Sequence, residues 1–302
     1  MNKVTISVPA TTANLGAGFD VFGMALSLYN ELSFELIECG DKISLEIYGE
    51  GADTLFSGDS NNLVLKSMQH LSRFYQIPLP GGILKMTNRI PLARGLGSSS
   101  AAIVGGLYLA SKLLKLGLSK QELLELAVEI EGHPDNVAPA LFGNCICSAR
   151  GSKKWETVLY QVPEEWKWIA CVPQIPLSTE DARRVLPATI EHAKAVQNVA
   201  SASFFLAALI YEEPRYLPIA FRDYLHVPYR LPLIPNGEKV LAAAMSAGAY
   251  AATISGSGST LLAICPTDKA EIVAETMKSA FGAAYDARSF ILEVCTQGVH
   301  EV

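Results

Sequence analysis

The chain has 302 residues, half of them hydrophobic and 18% charged, and its 24 Lys and Arg against 30 Asp and Glu give a formal charge of −6. This composition excludes a disordered chain and a coiled coil, and the negative charge argues against a nucleic-acid partner. The six cysteines are scattered, and the close pair Cys145 and Cys147 lacks C-x-x-C spacing, which predicts reduced, mostly buried thiols in the cytoplasm. The apolar runs are short or interrupted, so we expect no membrane span and no targeting segment.

The first half of the chain alternates between strand and helix patterns. Residues 4–8, 32–37 and 43–48 alternate apolar and polar side chains, which predicts three strands separated by Gly-bearing turns. The next patterns predict a helix, a strand and a Ser- and Ala-rich helix, at 63–74, 82–87 and 98–115.

A capping-box pattern, Ser119 with Glu122, precedes the next helical stripe, and Gly132-His133-Pro134 should end that helix. After a strand at 144–148, the polar segment 150–156 predicts a division of the chain into residues 1–156 and 157–302.

The second half repeats the mixture of strands and helices. Strand patterns occupy 168–172, 251–255, 261–265 and 290–295, and helical patterns occupy 188–210, 238–248 and 269–281. No fixed-period repeat interrupts this order. The sequence therefore predicts an α+β protein.

Two glycines and three serines stand at the mouth of a predicted helix, in the segment Pro91–Ala101 (PLARGLGSSSA). Glycine lets a backbone approach phosphate oxygens closely, and the N–H groups and dipole of a helix N-terminus favour negative charge. Serine hydroxyls donate to phosphate or ligate Mg²⁺, so the loop suits a nucleoside triphosphate, although a Ser-capped turn has the same pattern. The chain lacks the Walker A, H-R-D and D-F-G motifs, which excludes a P-loop NTPase and a protein kinase.

Two further segments are Pro9–Asp20 (PATTANLGAGFD) and Ile254–Thr260 (ISGSGST). With the central loop they resemble the three signature motifs of the GHMP small-molecule kinase superfamily, and Gly132–Pro139 (GHPDNVAP) is similar to the homoserine kinases within it. The resemblance runs from about Val4 to the last predicted strand. It implies a two-domain GHMP kinase fold, with a ribosomal-S5-domain-2-like N-terminal half, a ferredoxin-like C-terminal half and ATP and substrate between them.

The resemblance also implies phosphorylation of the side-chain hydroxyl of L-homoserine by ATP and Mg²⁺ in threonine biosynthesis, in a cytoplasmic homodimer. Asn61 or Asn62 would then contact the adenine. The residues that would wrap the ATP phosphates are Pro91, Leu92, Ala93, Arg94, Gly95, Leu96, Gly97, Ser98, Ser99, Ser100 and Ala101.

For the Mg²⁺ ion, the resemblance implies Ser98 or Ser99 and a glutamate on the helix before Gly132. Glu125 and Glu129, four residues apart, lie on one face of that helix, and the sequence does not choose between them. An ordinary solvated face that also includes Glu131 is the alternative.

On the substrate side, Asn14, Asp20 and Asn136 match family positions that hold the amino acid. Asp20 suits an ammonium group. Thr179, Arg183 and Arg230 match positions near the γ-phosphate and the substrate carboxylate, which the planar fork of arginine suits. Without the resemblance, such residues are usually turn, cap or surface residues.

The expected catalytic residues are Asn14, Asn136, Thr179 and Arg183. Asn136 stands where the superfamily often has an Asp, and an amide cannot take a proton, which predicts catalysis without a protein base. His133 more plausibly shapes its turn than acts as a base.

The sequence also allows two other functions. One is phosphorylation of a mevalonate-like or sugar-like alcohol by a kinase of the same superfamily, against which Asp20 and the arginine pair argue. The other is a non-catalytic ligand-binding protein with the same fold. Gly95, Gly97 and the three serines are all present, which argues against that second function.

Overall fold

The computed structural model describes residues 3–37, 42–53 and 61–302, so Cys39 lies outside the described residues. The strands within that part of the chain are β1 (Lys3–Ala13), β2 (Phe22–Leu36), β3 (Ile43–Gly49), β4 (Gly82–Asn88), β5 (Cys145–Arg150), β6 (Trp155–Tyr160), β7 (Trp166–Val172), β8 (Ala251–Ile254), β9 (Leu261–Pro266), β10 (Arg288–Leu292) and β11 (His300–Glu301). The α-helices are α1 (Leu63–Tyr75), α2 (Ser98–Leu113), α3 (Lys120–Glu131), α4 (Pro134–Phe142), α5 (Thr179–Arg184), α6 (His192–Ile210), α7 (Leu217–Ala220), α8 (Val227–Arg230), α9 (Gly237–Ser246) and α10 (Ala270–Phe281).

The first sheet has the strand order β11-β1-β2-β4-β3, and β5 and β6 extend it from β2. All its neighbours are antiparallel except β3 and β4. Helices α2 and α4 pack on β1 and β2, and α1 packs on α2. The core between these layers is formed by fully buried side chains such as Val8, Phe34, Leu84 and Leu107.

The second sheet has the order β10-β7-β9-β8, with antiparallel neighbours throughout. Helices α9 and α10 cover one face of this sheet. Ile169, Leu261, Met277 and Phe281 are fully buried in the resulting core. Two sheets with helices packed on them form the expected α+β architecture.

The predicted division after residue 156 falls inside β6, which pairs with β5 along its whole length. The polar segment is the turn of this hairpin, where the Gly151 N–H donates to the Lys154 carbonyl at 2.9 Å. The chain also returns to the first sheet through β11, which pairs with β1. A division after Tyr160 would therefore keep the first sheet whole, with β11 added to it.

The predicted start and end of α3 are confirmed. The Ser119 side chain accepts from the Glu122 N–H while the Glu122 carboxylate accepts from the Ser119 N–H, and the helix ends at Gly132 with φ +92°. Helix α4 follows immediately. The sequence does not predict it, because Pro134 and Pro139 usually mark a break in a helix. Pro134 occupies the first turn, where its missing N–H costs nothing.

Among the described helices, α6 is the one whose length and apolar composition would suffice to cross a membrane. Its Phe205 packs inside the protein, with ring centroids 5.3 Å from Phe22 and 5.9 Å from Phe221. Length and composition alone are weak evidence of a membrane span, since core helices meet the same criteria. The opposite side of α6 exposes Val196, Val199 and Ile210.

Candidate active site

The three motifs meet between the two sheets, although they lie far apart in the sequence. The Thr11 N–H donates to the Leu96 carbonyl at 3.1 Å, and the Ser255 hydroxyl donates to the Gly95 carbonyl at 2.6 Å. The Gly256 N–H donates to the Ala13 carbonyl at 3.2 Å. These contacts surround a cavity of about 480 Å³, to which all three motifs contribute side chains.

The backbone of the central loop admits only glycine at two positions. Gly95 and Gly97 have φ of +75° and +68°, a region that other residues rarely adopt. A Cβ atom at Gly97 would also collide with the Thr11 hydroxyl, and one at Gly95 with the Ser255 carbonyl. This tight turn delivers the N-terminus of α2 to the cavity, where its first N–H groups have no helical carbonyl partner.

Most of the predicted phosphate-loop residues line this cavity. They are Leu92, Ala93, Arg94, Gly95, Gly97, Ser98, Ser99, Ser100 and Ala101, together with Asn61 and Asn62 of the segment before α1. Leu96 is fully buried in the core, and Pro91 borders a smaller neighbouring cavity of about 190 Å³.

The Arg94 side chain ties the loop to the second sheet. Its Nε donates to the Pro173 carbonyl at 3.1 Å and its Nη1 to the Leu92 carbonyl at 3.0 Å. Burial lowers the pKa of Arg94, and the nearby Arg288 lowers it further against the opposing effect of Glu50. The guanidinium thus joins the two halves of the protein at the edge of the cavity.

The structure brings Glu131, rather than Glu125 or Glu129, to the phosphate loop. Its carboxylate accepts from the Ser99 hydroxyl at 3.0 Å and from the Ser100 hydroxyl at 2.9 Å. Glu131 follows Glu129 by about 200° around α3, because each residue turns an α-helix by about 100°.

The two glutamates proposed from the sequence lie outside the cavity lining. Glu125 accepts from the Trp155 N–H at 2.7 Å and from Arg150 Nη1 at 3.2 Å, so it anchors the β5–β6 hairpin. Glu129 is exposed. Neither glutamate lines the cavity with the serines, so the carboxylate that reaches the phosphate loop is Glu131 and not one of the two expected from the sequence.

Opposite charges meet at another part of the cavity. Arg183 binds Asp20 through two parallel hydrogen bonds of 3.0 and 2.9 Å, which raise the pKa of Arg183. Arg230 is only 2% exposed and donates to the Ala182 and Gly256 carbonyls at 3.0 and 3.1 Å. Burial, and then the charge of Arg183, lower the pKa of Arg230 to about 10, so it stays charged at neutral pH.

The predicted asparagines line the cavity but are engaged with neighbouring protein groups. Asn14 donates to the Gly256 carbonyl at 2.9 Å and accepts from the Asp20 N–H at 3.1 Å. Asn136 accepts from the Thr11 hydroxyl at 2.8 Å and donates to Asp135 at 3.3 Å. Thr179 lines the cavity from the first turn of α5.

The site also contains two residues beside Asn136 that the sequence patterns do not predict as site residues. His133 Nδ1 lies 2.5 Å from Asp135 Oδ1, and Asp135 is buried. Burial opposes protonation of His133, but the contact with Asp135 outweighs it and raises the pKa of His133. Ligand atoms of Asp20, His133 and Asp135 lie within 4.8 Å of one another, an arrangement that suits a cationic group. The GHPDN segment contains both residues, but only the fold turns them towards Asp20.

The loop that carries Asn14 and Asp20 is held by side chains from the second half of the chain. His226 is fully buried, and its Nε2 lies 3.0 Å from the Gly16 carbonyl, to which it donates. Asn198 donates to the next carbonyl, that of Ala17, at 2.9 Å. Asp223 fixes His226 in turn by accepting from its backbone N–H at 2.7 Å.

The buried imidazole makes the protein sensitive to acid. Burial lowers the pKa of His226, so the unfolded chain takes up a proton below about pH 6.5 while the folded protein does not. This contribution to stability is present above that pH and is lost as pH falls towards the lowered pKa. We expect His226→Gln, which keeps a donor for Gly16, to lose less unfolding free energy between pH 7 and pH 5 than the wild type. Urea unfolding at both pH values measures this, and equal losses in the two proteins would contradict it.

Comparison with known proteins agrees with this geometry. The family model of the GHMP kinases N terminal domain matches residues 62–144, and that of the GHMP kinases C terminal matches 216–283. The homoserine kinase of Carboxydothermus hydrogenoformans is 46% identical over 88% of this chain and 86% of its own length. That of Crocosphaera subtropica is 42% identical over 99% and 98%. The crystal structure of homoserine kinase from Cytophaga hutchinsonii superposes with a TM-score of 0.90 at 29% identity, covering 100% of this chain and 98% of that one.

The matched regions include the helix-mouth loop, α3, α4 and the Gly256 motif, which are the elements that build the cavity. Near-complete coverage at over 40% identity extends the relationship to the whole chain. The chain therefore belongs to the GHMP kinases and, within that family of phosphotransferases, to the homoserine kinases.

Proposed function

We propose that this protein transfers the γ-phosphoryl group of ATP to the side-chain hydroxyl of L-homoserine, in threonine biosynthesis. The bond between the γ-phosphorus and its bridging oxygen breaks, a bond to the homoserine oxygen forms, and the hydroxyl proton leaves to solvent. The observation that carries the proposal is a single cavity with a phosphate-binding helix N-terminus in one part and the Asp20, Arg183 and Arg230 charges in another.

Homoserine fits the charged part of the cavity because it is a zwitterion with a free hydroxyl. Arg183 and Arg230 suit its carboxylate, and Asp20 with Asp135 suits its ammonium group. A mevalonate-like acid lacks the ammonium group and a sugar lacks both charges. Either would make fewer charge-assisted contacts with this pocket than homoserine does, which lowers its kcat/KM relative to homoserine.

The Glu131 carboxylate and the Ser99 and Ser100 hydroxyls form a set of oxygen donors at the mouth of α2. Mg²⁺ prefers such ligands together with substrate phosphates, so these residues fit the ion that the resemblance implies. When bound there, Mg²⁺ would supply positive charge to the phosphate oxygens. Glu131 and the two serines would hold it, and the N–H groups of α2 would bind the phosphates directly.

We infer that no side chain acts as a general base. Asn136 cannot take a proton, and Asp135 Oδ1 already contacts His133 and Asn136. Phosphoryl transfer has a loose transition state, in which positioning and electrostatic stabilisation supply most of the catalysis. Asn14 and Asn136 contribute by fixing the loops around the hydroxyl. Arg183 contributes by holding the substrate in line, and Thr179 by stabilising the transferred group.

An ADP-release assay with Mg-ATP and a panel of alcohols tests the function. We expect L-homoserine to give a kcat/KM far above those of D-homoserine, L-serine, L-threonine, mevalonate and galactose. Turnover of a different alcohol would reject the roles of Asp20, Arg183 and Arg230 but keep the phosphate loop. Binding of ATP without turnover of any alcohol would favour the non-catalytic alternative.

The resemblance further implies a cytoplasmic homodimer, and we propose that state. The exposed apolar side chains on one side of α6 support the dimer, because exposed apolar surface of this kind is often covered by another protein surface. Light scattering after size-exclusion chromatography should give twice the mass of the 32.5 kDa chain. A monomer mass at micromolar concentration would reject it.

A further inference from the structure

Two asparagines project side by side into the cavity from neighbouring strands. In the antiparallel register of β2 and β4, Glu31 lies opposite Thr87 and Leu32 opposite Met86, which places Asn30 opposite Asn88. Asn30, Leu32, Met86 and Asn88 all line the cavity, so this face of the sheet forms one of its walls. Side chains at opposed positions lie about 5 Å apart at Cβ, close enough to contact the same ligand group.

The orientation of each carboxamide is fixed by the backbone. Asn30 Oδ1 accepts from the Arg89 and Ile90 N–H groups at 2.8 and 3.0 Å, and an N–H group only donates. Asn88 Nδ2 donates to the Glu50 carbonyl at 3.2 Å, and a carbonyl only accepts. The amide N–H groups of Asn30 and the carbonyl oxygen of Asn88 are what remain.

The Asn30 amide N–H groups and the Asn88 carbonyl oxygen have no hydrogen-bond partner in the described part of the chain. Neither atom is one of the fully buried polar atoms that lack a partner, so both remain partly accessible. The two residues are only 6% and 4% exposed, so the cavity is where these groups are reached. Leu32 and Met86, two positions along the same strands, and Val64 add apolar surface to the same cavity. Such a slot suits a flat aromatic base, which needs apolar faces and a few placed polar groups at its edge.

Asn62, which the resemblance suggested for the adenine, is less free to recognise a base. Its Oδ1 accepts from the Leu65 N–H at 3.2 Å as the cap of α1, and its Nδ2 is 3.5 Å from the Met86 sulfur. The side chain therefore holds the start of α1 against β4. Because Asn62 caps α1, Asn30 and Asn88 are the two asparagines with side-chain groups available to a base.

We propose that Asn30 and Asn88 select the purine base of the nucleotide. Asn30 offers a donor and Asn88 an acceptor, and adenine presents the complementary pair, a ring-nitrogen acceptor beside the 6-amino donor. A 6-oxo purine presents an acceptor where adenine presents that donor, so at least one pair of like groups would meet in the slot. The inference rests on the proposed nucleotide-dependent function, because it assigns the base end of the same cavity.

Binding of nucleoside diphosphates without homoserine tests this. Isothermal titration should show ADP binding the wild type at least about tenfold more tightly than IDP or GDP, since a desolvated polar group without a partner costs about that much. IDP is the sharper comparison because it changes the 6-position without adding a 2-amino group.

The variant Asn30→Asp keeps the acceptor for both backbone N–H groups and replaces the donor in the slot with an acceptor. We expect its preference for ADP over IDP to fall at least about fivefold. Thr87→Asp is the matched control, because residue 87 is adjacent on β4 and its side chain points to the opposite face of the sheet. It adds the same charge nearby and should keep the wild-type preference.

Equal affinity of the wild type for ADP and IDP would overturn the inference while leaving the proposed function intact. An unchanged preference in folded Asn30→Asp would also overturn it. If that variant does not fold, the wild-type ratio of ADP to IDP affinity decides. Absence of any nucleotide binding by the wild type would reject both the inference and the proposed function.

Discussion

Glu131→Ala should lower kcat for L-homoserine by roughly 10²- to 10³-fold, the size expected when one group that stabilises transition-state charge is removed. The carboxylate sits against the Ser99 and Ser100 hydroxyls at the mouth of α2, where the phosphate charge would accumulate. The Mg²⁺ concentration for half-maximal activity should rise strongly as well. Steady-state kinetics over a series of Mg²⁺ concentrations measure both effects.

Glu129→Ala provides the matched control for this variant. It removes the same side chain from the same helix at an exposed position outside the cavity, and its kcat should stay within twofold of the wild type. The two variants also separate the carboxylate expected from the sequence from the one that the structure supplies. A larger loss in Glu129→Ala than in Glu131→Ala would reject the proposed metal site.

Arg230→Ala should reduce kcat/KM for L-homoserine by roughly 10²-fold or more, because truncating a buried, hydrogen-bonded charge costs about 2–5 kcal/mol. The loss should depend on the substrate carboxylate. With 3-aminopropan-1-ol, which is homoserine without that carboxylate, wild type and variant should differ little. The ratio of kcat/KM for the two substrates in each protein measures how much of the selectivity depends on Arg230.

Arg184→Ala is the control for Arg230→Ala, since Arg184 is an exposed arginine whose ion pairs are with Glu180 and Asp181 on its own helix. It should leave the substrate ratio unchanged. Arg230→Ala also removes hydrogen bonds to the Ala182 and Gly256 carbonyls, so part of its effect is structural. A fall in activity that is equal for both substrates would assign the whole effect to that structural part.

The local signals in the sequence predicted the motif loops well. Gly97 before a Ser-rich helix and the Ser119 capping box each involve residues within a few positions, and the structure forms both as expected. The role of Glu131 could not be predicted in this way. The apolar stripe of α3 orients the helix but does not show which glutamate reaches the loop before α2. That contact spans 31 to 32 residues of sequence and depends on how α2 packs on α3.

The pairing of Asn30 with Asn88 was still harder to predict from the sequence, because it depends on the strand register. A shift of one residue in the register of β2 and β4 would turn either side chain to the opposite face of the sheet. The position of the division between the two halves depends on a related distinction. A polar, Gly-containing segment such as 150–156 reads equally well as a linker and as a hairpin turn, and only the pairing of β5 with β6 distinguishes them.

The hydrogen bonds around Gly256 bear on how the protein unfolds. The carbonyl of Gly256 accepts from Asn14 of the first motif and from Arg230, while Arg94 bonds to Pro173 across the same boundary. Neither half can melt alone without breaking these hydrogen bonds, so we expect the two sheets to unfold as one cooperative unit. Heating should therefore abolish nucleotide binding and both sheets in a single transition, without a half-folded species that retains the phosphate loop.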